Sequence, residues 1–87
     1  MEDLKKQIRE TLERLKQERD ELRVKMSLAK MEAGDEWEEI EGKLAKLEAK
    51  SREIGSATAQ SAREIGAAAK LLAEEVRDGF KNVARHI

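Results

Sequence analysis

The chain has 87 residues, 39% hydrophobic and 43% charged, with one Trp, one Phe, no Tyr, no Pro and no Cys. Its 18 Lys and Arg nearly cancel 19 Asp and Glu, so there is no large field of one sign to draw in nucleic acid. The missing cysteines remove disulfide frameworks, thiolate metal sites and cysteine nucleophiles, and the missing prolines beside abundant Ala, Glu, Lys, Leu and Arg point to helix.

The N-terminal MEDLKKQIRE is charged where a signal peptide needs an apolar run, so a cytoplasmic protein is expected. From there the apolar residues recur at helical spacing: Leu4, Ile8, Leu12, Leu15, Leu22 and Met26. Arg19 occupies the one seam position between Leu15 and Leu22, where a polar residue can fix register. The stripe then passes through Ala29 and Ala33 to Trp37.

From the middle of the chain Trp37, Ile40, Leu44, Leu47, Ser51, Ile54, Thr58, Ser61 and Ile65 alternate steps of three and four, the seam of a left-handed coiled coil. In the final third REIG opens at residue 52 and again at residue 63, giving an eleven-residue repeat. The terminal stripe Ile65, Ala69, Leu72, Val76, Phe80, Val83 and Ile87 takes extra steps of four that favour straight or slightly right-handed packing. Gly55 and Gly66 hold equivalent places in the repeat and are expected to let helices approach closely. Ser51, Ala57, Thr58, Ser61, Ala62, Ala68 and Ala69 extend that surface of small residues.

Two places can break the helix. Gly34 can end one helix, with Asp35 capping the next and Glu38 at capping-box spacing. The second place is Gly55-Ser56, and it is the favoured turn, because residues 55–61 combine the weakest apolar stripe with the most small polar side chains. The expected fold is all-α: one domain over residues 1–87, with a long helix over about 2–53 and a second over about 57–86. These form an elongated coiled-coil hairpin that assembles into an oligomeric helical bundle, because its N-terminal third has no partner within the chain. The expected oligomer interface is Leu4, Ile8, Leu12, Leu15, Leu22, Met26, Trp37, Ile40, Leu44, Leu47, Ile54, Ile65, Leu72, Val76 and Phe80.

The stretch RDELRVKMSLAKMEAGDEWEE, residues 19–39, resembles a segment of small bacterial coiled-coil proteins, which implies a helical oligomer. The eleven-residue repeat over residues 52–84 resembles those of apolipoproteins, synucleins and late-embryogenesis-abundant proteins. That resemblance implies folding on a lipid surface or on drying.

Catalytic chemistry finds little to work with. His86 is the only histidine and sits one residue from the end, where a solvated side chain is expected. The acidic run Asp35, Glu36, Glu38, Glu39, Glu41 fans around a helix and lacks the loop of alternating oxygen ligands that a hard cation needs. Gly55 and Gly66 lack phosphate-loop spacing, and Trp37 falls on the stripe as a seam residue. No cofactor, metal or enzymatic activity is expected. The reading is a homo-oligomeric scaffold or adaptor, open to an unidentified protein partner and with no nucleic-acid role. The alternative is a peripheral lipid binder that lays Ile65, Leu72, Val76, Phe80 and Val83 on a membrane, although residues 55–87 hold five basic residues against four acidic ones.

Overall fold

A computed structural model describes residues 2–31 and 34–87. It contains three α-helices and, among the described residues, no strand: α1 (Glu2–Leu28), α2 (Asp35–Glu53), which runs on into a single 3₁₀ turn (Ile54–Ser56), and α3 (Ala59–Arg85).

The end of α1 is a Schellman motif made without glycine. Lys30 stands in the left-handed region at φ 58°. Its N–H donates to the Ser27 carbonyl at 3.1 Å, and the Met31 N–H donates to the Met26 carbonyl at 2.9 Å. Half-buried Met31 packs on the core that holds Met26, which is the apolar contact this motif usually brings. α2 starts from Gly34, in extended backbone and with no side-chain cap, so Asp35 is the first helical residue and not the expected cap. Asp35, Glu36 and Glu38 nonetheless lie in the first turn, where carboxylates complement the helix dipole. The turn into α3 is specified more fully: Thr58 is the N-cap, and its Oγ1 accepts the Ser61 N–H at 3.2 Å.

Contacts between helices set the topology. Gly66, early in α3, meets Leu4, early in α1, whereas Gly79, late in α3, meets Ile40, early in α2. Lys16 of α1 pairs with Glu48 of α2 at 3.4 Å. The helices therefore run up, down and up in a bundle of 46 × 19 × 16 Å, its length close to the roughly 40 Å that 27 residues at 1.5 Å each occupy.

Two expectations are corrected. The long helix over about 2–53 is two helices, because the chain turns at Lys30 as well as after Ile54. The N-terminal third accordingly has partners within the chain: Ile8, Leu12, Leu15, Leu22 and Met26 belong to one core with Trp37, Ile40, Leu44, Leu47, Ile54, Val76 and Phe80. Three short amphipathic helices cover one another's stripes, which two long ones of this length cannot do. Ala33, placed on the stripe by its spacing, lies outside the described residues.

The seam of α3 also differs. Its buried residues are Ala62, Gly66, Ala69, Ala73, Val76, Phe80 and Val83, with steps that alternate four and three. This is a heptad, not an eleven-residue period. Thr58, the N-cap, and Ser61, whose N–H it caps, are exposed, Ile65 and Leu72 are half-buried flanks, and Ile87 is exposed. The large side chains at 65 and 72 mark the edge of the seam, and the small ones next to them lie at its centre. The two REIG copies fall in different environments: residues 52–55 close α2 and enter the 3₁₀ turn, whereas residues 63–66 lie inside α3.

Candidate helix-association site

The seam is the feature in which sequence and packing converge. Of the fifteen residues expected at an interface, the twelve other than Leu4, Ile65 and Leu72 are buried inside the single chain, and those three pack half-buried against them.

α3 lies close against α2 at Gly79. A Cβ there would lie 2.6 Å from Ile40 Cγ1 and 2.8 Å from Ile40 Cδ1, so only glycine fits the present spacing. One turn away the rings of Trp37 and Phe80 pack at 5.9 Å between centroids and tilt by 36°. On the outside Lys43 bridges the pair, 2.9 Å from Glu75 and 3.8 Å from Glu39. Its hydrogen bond to Glu75 raises the Lys43 pKa above the ordinary lysine value, and the nearby negative charges of Glu75 and Glu39 add to the effect.

α1 lies against the small residues of α3. A Cβ at Gly66 would stand 3.0 Å from Leu4 Cδ2 and 3.2 Å from Leu4 Cδ1. Beside this contact runs a groove of about 310 Å³ between the two helices, lined by Leu4, Ile8 and Thr11 on one wall and Gly66, Ala69 and Ala73 on the other. A second groove of about 340 Å³, by Leu22, Lys25, Phe80 and Ala84, lies toward the far end of the same pair. Lys5 reaches the Gly55 carbonyl at 3.5 Å, close to the turn between α2 and α3.

Gly66 makes the close approach expected of it, but Gly55 has nothing within 4 Å of its Cβ direction. Gly79, the glycine with the least room for a side chain, carries no sequence signal of its close contact, although stepping back from Phe80 and Val83 in alternate fours and threes finds Ala73, Gly66 and Ala62. Arg19 sits half-buried at the edge of the seam, where its Nη2 pairs with its neighbour Asp20 at 3.1 Å. His86 is exposed and donates through Nδ1 to the Asn82 carbonyl at 2.8 Å. The acidic residues Asp35, Glu36, Glu38 and Glu39 are exposed along the start of α2, with Glu41 half-exposed.

Among the described residues no group of three or more His, Cys, Asp and Glu is placed to hold a metal ion. No helix among them is long and apolar enough to cross a membrane. No family model, curated protein or solved structure matches the chain.

Proposed function

We propose that the chain is a non-enzymatic structural and interaction module of a bacterial cytoplasm, a homo-oligomeric coiled-coil scaffold or adaptor. The observation that carries this reading is the seam: in α1, α2 and α3 alike the buried residues step by three and four, with Arg19 and Ser51 filling its two gaps. That spacing is how helices recognise other helices, within a chain or between chains. Contacts that seat α1 on α2 and α3 inside one molecule are equally available from the α1 of an identical molecule.

The lipid-surface alternative requires that Val76, Phe80 and Val83, all buried here, leave their contacts with α1 and α2 before they meet a membrane. Sedimentation equilibrium with far-UV circular dichroism tests the reading. A strongly helical chain that self-associates as concentration rises, and gains little helix on anionic vesicles, is the expected result. A helical chain that stays monomeric at every concentration would contradict self-association, and a large vesicle-induced change would favour the lipid alternative.

A further inference from the structure

The two turns of the bundle are built to different standards. Thr58 caps α3 through its own side chain, whereas α1 stops on a lysine held at φ 58° and α2 starts from a glycine with no side-chain cap. A left-handed conformation is costly for a residue with a Cβ. The residues around the stop, Leu28, Ala29, Lys30 and Met31, are all competent helix formers, and no proline stands near. The apolar stripe also keeps its phase across this turn. On one straight helix at about 100° per residue, the buried residues of α1 and α2 from Ile8 to Leu47 would fall within a sector of about 100°.

From this contrast we propose that the α1–α2 turn is an exchange hinge. α1 comes into line with α2, and two copies of the chain each place α1 in the seat that the other copy's α1 has left. The inference rests on the self-association reading and specifies its partner as a second copy of this chain. The seat dictates that partner: Gly66 takes Leu4 in close contact because it lacks a Cβ, and an identical α1 refills the seat with no new interface to design. Opening releases Lys30 from its left-handed conformation in both chains.

Two substitutions act on the hinge in opposite directions. Lys30→Gly removes the strain from the closed turn. At about fivefold per chain it should weaken dimerisation by roughly 30-fold, with 1.4 kcal/mol taken as a factor of ten. Gly34→Ala is tolerated when the turn is closed, since Gly34 has extended backbone and nothing within 4 Å. In the opened, in-line helix it should tighten dimerisation by a similar factor of about 30.

The decisive experiment uses the Lys16–Glu48 contact between α1 and α2 in a chain that has no native cysteine. Lys16→Cys with Glu48→Cys is treated with a short bis-maleimide at concentrations where sedimentation velocity reports dimer. The expected product is a covalent dimer on a denaturing gel, because in the exchanged form residues 16 and 48 in contact belong to different chains. A dimer in solution that yields only single-chain product would overturn exchange while leaving self-association standing. Monomer at every concentration, for the parent and for Gly34→Ala, would overturn both. A Lys30→Gly chain that dimerises as tightly as the parent would remove the hinge.

Discussion

Gly79→Ala puts the contact between α3 and Ile40 of α2 under direct strain. In a helix interior, replacing glycine by alanine ordinarily gains about 1 kcal/mol. At Gly79 the new methyl would stand 2.6 Å from Ile40 Cγ1, roughly 1 Å inside the usual 3.5–4.0 Å carbon separation. Cγ1 lies on a β-branched side chain that is itself 3% exposed, so it has little room to turn away. Overpacking of this kind costs about 1–3 kcal/mol, which outweighs or cancels the propensity gain. Gly42→Ala is the internal control: it is also a helix-interior glycine, in α2, and has nothing within 4 Å. The difference between the two variants cancels propensity and isolates packing, at about 1–3 kcal/mol. Urea melts followed by the fluorescence of buried Trp37, at matched concentration, measure it. In an Ile40→Ala background the penalty at residue 79 should shrink by most of its value. If Gly79→Ala stabilises as much as Gly42→Ala does, α2 and α3 do not approach at this register and the seam of α3 has been misplaced.

Three further outcomes are expected. Thr58→Ala should lose about 1 kcal/mol of stability in thermal melts, through the cap to the Ser61 N–H. Ala62→Leu, at a seam position 2% exposed, should destabilise by about 1–3 kcal/mol, whereas Ser61→Leu, one residue away and exposed, should change stability by no more than about 0.5 kcal/mol. Because the folded-state pKa of Lys43 is raised, its contribution is complete below the ordinary lysine value near 10.5 and is lost as pH rises through the raised value. Denaturation midpoints through that alkaline range should therefore fall further for the parent than for Glu75→Gln.

The helical content and the seams of α1 and α2 were legible because large apolar side chains mark nearly every seam position from Ile8 to Ile54. The turn after Ile54 was legible too, since small polar residues cluster there, although Thr58 is the cap of α3 and not the seam residue its spacing suggests. The turn at Lys30 was hidden for a physical reason. It is closed by a lysine in a conformation normally left to glycine, and the stripe keeps its phase on either side of it. Gly34 was recognised as a place to break, but with the wrong roles: it is the N-cap of α2, and the stop of α1 lies at Lys30. In α3 the misreading came from counting size. Ile65 and Leu72 drew the stripe toward themselves, yet Gly66 and Ala73 are the residues at the centre, because close helix approach selects against bulk there. The buried residues were legible as a list but not as an arrangement, since the number of turns decides whether a seam is satisfied within one chain.

The most direct test of the account is an isotope-filtered NOE experiment on an equal mixture of labelled and unlabelled chains, read at two contacts, Leu4 with Gly66 and Ile40 with Gly79. In dilute samples both contacts should arise within single chains. As dimer accumulates, the Leu4–Gly66 contact should appear between labelled and unlabelled molecules, while the Ile40–Gly79 contact stays within one. A dimer in which Leu4 and Gly66 never touch across chains would contradict exchange of α1 through the seam, and absence of both contacts at every concentration would contradict the bundle itself.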